Sequence, residues 1–223
     1  MLKYKCIIFD VGYTLVMHDD EKESKMIAEM LGIPYSIELM NEISNFWLKS
    51  AEYTEDLIMT RNLYLRILNN MFPIIKKYQI NVEDFFYALS NKGQVGIYDD
   101  VVEILNWLKK NNIELITLSN WFEENQKEEL KKLKIYDYFS NVYGWDNSYA
   151  KPNPQIVNSR VLSKYNNKDV LMIGDGLNKD IKCAINAKVD SCWINRNNII
   201  NSTDIKPIYE INNLLQMKKI LKI

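Results

Sequence analysis

The chain has 223 residues, 47% of them hydrophobic, and a formal net charge of −1. That is enough apolar material for one large domain, or for a core with an insertion, and it leaves no basic field to gather nucleic acid. No apolar run approaches the roughly 20 residues that span a bilayer, the apolar stretch in "MLKYKCIIFD" is too short for a signal peptide, and Cys6, Cys183 and Cys192 show no metal-ligand spacing, so they read as reduced, buried thiols of a cytoplasmic protein.

In chain order, "YKCIIFDV" is a short run of β formers, as expected of a buried strand. Between Asp19 and Asn91 helical periodicity takes over. "DDEKESKMIAEMLG" places Met26, Met30 and Leu31 on one face and stops at Gly32, a C′ glycine. "SIELMNEISNFWLKSAEY" carries Ile37, Met40, Ile43, Phe46 and Trp47 at helical spacing. "TEDLIMTRNLYLRILNNMF" repeats the pattern and ends before Pro73, and Asn81 caps "VEDFFYALS". The block contains no good strand.

After Gly96 helices and strands alternate. "DDVVEILNWLKKNN" reads as a helix capped by Asp99 or Asp100, "IELITLSN" as a strand, and "EENQKEELKKLK" as a charged surface helix. "NVYGW", "DVLMIGD" and "SCWIN" are strands; "NPQIVNSRVLSKYN", "NKDIKCAINAK" and the closing "INNLLQMKKILKI" are helices. Repeated β-α-β units imply an α/β fold with a doubly wound parallel sheet. The expected division is a core of residues 1–16 and 93–223 with a helical cap of residues 17–92 inserted over the sheet's C-terminal edge, where such folds bind ligands.

Polar residues follow four of these strands. Asp10 follows the first, Ser119 and Asn120 follow "IELITL", Lys151 opens "KPNP", and Asp175 and Asp180 lie in "GDGLNKD". In a doubly wound sheet these loops converge on one crevice. Neighbouring carboxylates repel and call for a cation, and an all-oxygen donor set suits Mg²⁺. Each residue also has an ordinary reading: Asp10 and Asp180 as helix caps, Ser119 and Asn120 as turn formers, and Gly174 and Gly176 as tight-turn glycines.

With these four stretches in order, the chain resembles the haloacid dehalogenase (HAD) superfamily of hydrolases, in the group with a helical cap inserted after the first motif. "FDVGYTL", "LSN", "KPNP" and "GDGLNKD" are similar to its four motifs, and the likeness covers essentially the whole chain. The resemblance implies a Rossmann-like core, a small phosphorylated substrate and a Mg²⁺ cofactor. It implies that Asp10 is the nucleophile and a metal ligand, that Gly12 offers the metal its backbone carbonyl, and that Asp175 is the second metal carboxylate. Asp180 would act on the metal through water. Thr14 would position the Asp10 loop, Ser119 and Asn120 would meet the phosphoryl group, and Lys151 would offset its developing charge. The protein is expected as a monomer or homodimer.

At position 12 the chain departs from the pattern. Most phosphatases of the superfamily carry a second aspartate there, which protonates the leaving group and activates water; here the residue is Gly12. The 2-haloacid dehalogenases of the superfamily also lack that aspartate, but they work without metal and lack the fourth-motif carboxylate that Asp175 supplies here. The resemblance therefore points to a Mg²⁺-dependent phosphatase without the usual acid, one that favours aryl and acyl phosphates. The alternatives are a metal-independent dehalogenase, a phosphonate-cleaving enzyme with Lys49 as Schiff base, and a degenerate phosphatase that serves as a binding module. His18, the only histidine, reads first as a surface or hinge residue; it and Tyr13 are the other nearby sources of a proton.

Overall fold

The computed structural model describes residues 2–54, 56–93 and 96–222. The first strand, β1 (Cys6–Phe9), is fully buried. Its alternate side chains face two different cores: Ile7 and Phe9 join one cluster, Cys6 and Ile8 the other. A strand covered on both faces reads as an unbroken apolar run, and "CIIF" is that run. The remaining strands of the sheet are β2 (Glu114–Phe122), β3 (Asn141–Trp145), β4 (Val170–Gly174), β5 (Asp190–Ile194) and β6 (Tyr209–Ile211). They lie in the order β3-β2-β1-β4-β5-β6, and every neighbouring pair is parallel. The order reverses direction at β1, so the crevice between the C-terminal ends of β1 and β4 is the topological switch point where such sheets bind ligands.

In the inserted block are α1 (Asp20–Leu31), α2 (Ile37–Thr54), α3 (Arg61–Met71), α4 (Pro73–Lys77) and α5 (Val82–Asn91). Asp19 caps α1, Thr60 caps α3 and Asn81 caps α5, each accepting from a backbone N–H of the first turn. Gly32 closes α1 at φ 63°, a left-handed conformation that costs glycine little. These helices share a core of their own, built on Leu39, Ile43, Phe46, Tyr64, Phe72 and Phe85. That core reaches the sheet: the Tyr64 ring lies 5.4 Å from Trp121 and 5.2 Å from Trp145, at the ends of β2 and β3. The two chain segments that link the block to the sheet pair with each other, Val16–Met17 running antiparallel to Gly96–Ile97.

In the rest of the chain, α6 (Val101–Lys110) and α7 (Glu123–Lys132) contribute Ile104, Leu105, Leu108 and Leu130 to the core on the Ile7 face. Helix α8 (Lys182–Ala187) and Val157 and Val161 cover the Cys6 face. The chain closes in α9 (Met217–Ile220).

Several expectations need correction. The α1 face that packs inward is Glu23, Ser24, Ile27 and Ala28, whereas Met30 is exposed, because Ile27 sets the phase of the helix. Residues 58 and 59 do form a short strand, Ile58–Met59, paired with Ser148–Tyr149. The segment expected as one helix after "KPNP" is a wide-turned stretch, Val157–Val161, and a second such stretch, Leu177–Ile181, precedes α8. A strand, β6, lies in the chain before its last helix and parallel to β5, where none was expected. Asp100 precedes α6 but does not cap it with its side chain; its carboxylate accepts from Arg196 and from the Leu214 N–H. Among the described residues, no helix is long and apolar enough to cross a membrane.

Candidate active site

Asp10 stands one residue beyond β1, and its backbone N–H donates to the Ile173 carbonyl of β4 at 2.8 Å. Asp175 stands one residue beyond β4. The parallel pairing of these two strands therefore brings the two carboxylates to the same end of the switch-point crevice. Ser119 and Asn120 sit in the last part of β2, the neighbour of β1 on the other side. Asp10, Gly12, Ser119, Asn120, Lys151, Asp175 and Asp180 all line one cavity. Thr14 does not line it; it is fully buried, with Oγ1 3.5 Å from Asp10 Oδ2, a long contact. Arg196, held by Asp100, fixes this loop by donating to the Thr14 carbonyl at 2.7 Å.

Lys151 is the centre of the charge network. Its ammonium is buried and donates three hydrogen bonds: to Asp10 Oδ1 at 2.6 Å, to Asp180 Oδ1 at 2.5 Å and to the Leu118 carbonyl at 2.7 Å. An ammonium has three N–H donors, so each is used. Burial works against its charge, but the two facing carboxylates outweigh that and hold its pKa above the ordinary lysine value. Asn120 fixes the backbone at this lysine through its carboxamide. Asp180 is fixed in turn: its Oδ2 accepts from the Gly176 N–H at 2.9 Å. Gly174 makes this approach possible, because a β carbon there would lie 2.3 Å from Asp180 Oδ2.

Three carboxylates now share the cavity with two lysines, Lys151 and Lys179. Asp10, Asp175 and Asp180 each offer an oxygen, and these oxygens lie within 4.8 Å of one another. Burial first, then repulsion from Asp10 and Asp180, pushes the Asp175 carboxyl up to about 8. A protein that gathers acids this way without enough positive charge presents a site for a cation. Its donors are all oxygen and include no sulfur or imidazole among the clustered groups, the chemistry of a hard divalent ion such as Mg²⁺. The set fits that ion.

The cavity is also lined by Trp47 of α2, Lys92, Tyr13 and His18. Tyr13 takes a left-handed conformation at φ 55° directly after Gly12, and its hydroxyl donates to Asp20 Oδ1 at 2.9 Å. His18 is partly buried and bonded. Its side chain is only 14% exposed, and its Nδ1 lies 2.7 Å from Glu23 Oε1. Glu23 also pairs with Lys92, whose ammonium lies 5.3 Å from the Trp47 ring. Burial opposes the charge on Glu23, but the His18 hydrogen bond and Lys92 prevail and hold its carboxyl below the usual range. Sequence reasoning weighed His18 and missed Glu23 and Lys92. Glu23 follows His18 by five residues and Lys92 by far more, so no spacing signals the group.

A family model described as haloacid dehalogenase-like hydrolase matches residues 33–194. The chain is 24% identical to a Bacillus subtilis protein named as an HAD-hydrolase, YfnB, over all of this chain and 97% of the other. It is 30% identical to the pyrimidine 5'-nucleotidase YjjG of Escherichia coli, over 54% of each chain. Among solved structures, YfnB bound to magnesium superposes with a TM-score of 0.78 at 22% identity, covering 99% of this chain and all of that one. A 2-haloacid dehalogenase from Pseudomonas syringae superposes at 0.65 and 22% identity, covering 97% of each. At these identities the superpositions speak for the fold alone.

Proposed function

The chain belongs to the haloacid dehalogenase-like hydrolases, and we propose that within that family it is a Mg²⁺-dependent phosphatase of small phosphorylated metabolites that works through an aspartyl phosphate on Asp10. In this reading residues 17–92 are a cap over a core of residues 1–16 and 93–223, and the substrate lies in the cavity between them. The observation that carries the reading is the cluster of three buried or half-buried carboxylates with oxygens within 4.8 Å. Displacing halide from carbon creates no need for such a cluster; a phosphate dianion brought to a carboxylate nucleophile does.

Asp10 and Asp175 would hold the ion, with Asp180 acting through water. The bound ion supplies charge that lets a phosphate dianion approach carboxylates and stabilises the added charge at phosphorus. Lys151 aims Asp10, because its ammonium fixes one carboxylate oxygen and leaves the other to attack. The same ammonium offsets negative charge on the transferring group. Ser119 lines the cavity beside Asp10 and gives its hydroxyl to a phosphoryl oxygen. Trp47 and Trp121, packed edge to face at 5.3 Å, wall the cavity with apolar surface that excludes bulk water.

Phosphate release across a panel of phosphomonoesters, with pyrimidine nucleoside monophosphates and a 2-haloacid included, tests the reading. The panel includes those nucleotides because YjjG is named for them. Release that stops with EDTA and returns with Mg²⁺ is the expected result. Halide release indifferent to EDTA would identify a dehalogenase, and saturable binding without turnover would identify a binding module.

A further inference from the structure

The space beside Gly12 is filled. A β carbon at Gly12 would lie 3.1 Å from His18 Nε2 and 3.6 Å from His18 Cδ2. A side chain at position 12 would press on the imidazole of His18, which would have to give by a few tenths of an ångström, in the cavity that Asp10 and Lys151 also line. The imidazole is held there. Its other nitrogen, Nδ1, meets the Glu23 carboxylate at 2.7 Å, and Glu23, only 3% exposed, is anchored by Lys92. A carboxylate on Nδ1 fixes the ring and leaves Nε2 to face the cavity, the arrangement by which acid–base histidines are oriented.

Three neighbouring groups, Tyr13, Lys151 and Asp180, are committed elsewhere. The Tyr13 hydroxyl donates to Asp20, and Asp20 also accepts from Ser44. Lys151 uses all three of its donors, and Asp180 is bonded through both oxygens. Yet loss of an alkoxide from phosphorus needs a proton.

We propose that His18, positioned by Glu23, is the general acid and base of this site, its Nε2 standing close beside position 12. The inference rests on the phosphatase reading above. An Asp10 oxygen forms a bond to phosphorus. The bond from phosphorus to the ester oxygen breaks, its electron pair going to that oxygen, which takes the proton from His18 Nε2 and leaves as the alcohol. Water then attacks phosphorus and gives a proton to the neutral Nε2. The bond from phosphorus to Asp10 breaks, restoring the carboxylate and releasing inorganic phosphate. The imidazole ends protonated, as it began. On this account the absence of an acid at position 12 does not confine the enzyme to aryl and acyl phosphates.

The test compares an alkyl phosphate with p-nitrophenyl phosphate in the wild type, His18→Ala and His18→Gln, all with Mg²⁺ and with folding checked by circular dichroism. Nitrophenolate leaves without a proton; an alkoxide does not. Both variants are expected to lose about 10²- to 10⁴-fold in kcat/KM for the alkyl ester and less than about tenfold for the aryl ester. In His18→Ala the aryl ester should also give a burst of nitrophenolate followed by slow turnover, since water has lost its base, and added imidazole should speed the slow turnover and leave the burst rate unchanged. Glu23→Gln should show the same selective loss for alkyl esters, smaller in size, as befits a positioning residue. Equal losses for both esters, or none, would overturn the role of His18 even with a fully active wild type. A wild type that releases no phosphate, or whose activity survives Asp10→Asn, would overturn the phosphatase reading and this one with it.

Discussion

Asn120 and Lys151 clasp each other through two hydrogen bonds: the Lys151 N–H donates to Asn120 Oδ1 at 2.7 Å, and Asn120 Nδ2 donates to the Lys151 carbonyl at 2.9 Å. The clasp joins the end of β2 to the loop that delivers the lysine. Asn120 lines the cavity, but its amide group is already engaged, so its first effect is on where Lys151 stands. Asn120→Ala removes both bonds. At about 1 kcal/mol for each intramolecular hydrogen bond, the variant should lose about 2 kcal/mol of stability, read as a lower urea midpoint. Turnover should fall by more than KM changes, since the ammonium no longer holds Asp10 in place. An unchanged kcat would show that the clasp does not set the lysine.

Lys151 itself balances two acids. Lys151→Met fills similar space and leaves Asp10 and Asp180 without the cation that bonds both. Removing one partner of a buried ion pair costs about 3–5 kcal/mol, and at ~2–4 °C per kcal/mol for a chain of this size Tm should fall by roughly 10 °C. Added Mg²⁺ should recover part of that fall, because it supplies the missing charge. A Tm within a degree of wild type would mean that the acids are not ionised together.

Folding works against the ionised form of Asp175. Its carboxyl is raised from 3.8 to about 8 by burial and by its acidic neighbours. A group whose pKa is higher folded than unfolded adds stability below the unfolded value and gives it up as pH climbs through the folded one. Without metal, the wild type should therefore lose stability between about pH 4 and pH 8, and Asp175→Asn should flatten that slope and melt a few degrees higher at pH 8. With metal the order reverses. Mg²⁺ at about 100 times its Kd should stabilise the wild type by ~2.7 kcal/mol and the variant by almost nothing. Thermal melts at both pH values, with and without Mg²⁺, read all four states, and an equal Mg²⁺ gain in both proteins would remove Asp175 from the metal site.

Much of this was legible in the sequence, because strand ends carry their chemistry locally. "CIIFD" and "GDG" put a polar residue straight after an apolar strand, "LSN" lies in the last part of one and "KPNP" in the loop beyond another, and the doubly wound topology that brings them together follows from the β-α alternation. The parts that stayed hidden depend on distance through space. "YEI" is a three-residue strand with one buried side chain, too short for its alternation to show. The inward face of α1 follows Ile27 and Glu23 instead of the methionines, and a glutamate on a buried face goes against composition until its partners His18 and Lys92 are seen. His18 could be counted but not placed. Only the fold of the loop, with Tyr13 in a left-handed conformation, shows that the imidazole closes on Gly12.

The central claim is a covalent phosphoryl group on Asp10, and trapping it is the most direct test. An aspartyl phosphate is an acyl phosphate, which borohydride reduces to the alcohol, so a reaction quenched into borohydride would convert the aspartate at position 10 to homoserine. The variant His18→Ala, mixed with an aryl phosphate and Mg²⁺, should hold the largest share of this intermediate. Peptide mass spectrometry is expected to find homoserine at position 10 only when substrate and Mg²⁺ are both present, at close to one equivalent of the nitrophenolate burst. Turnover that continues while Asp10 is recovered unreduced at every quench time would contradict the account.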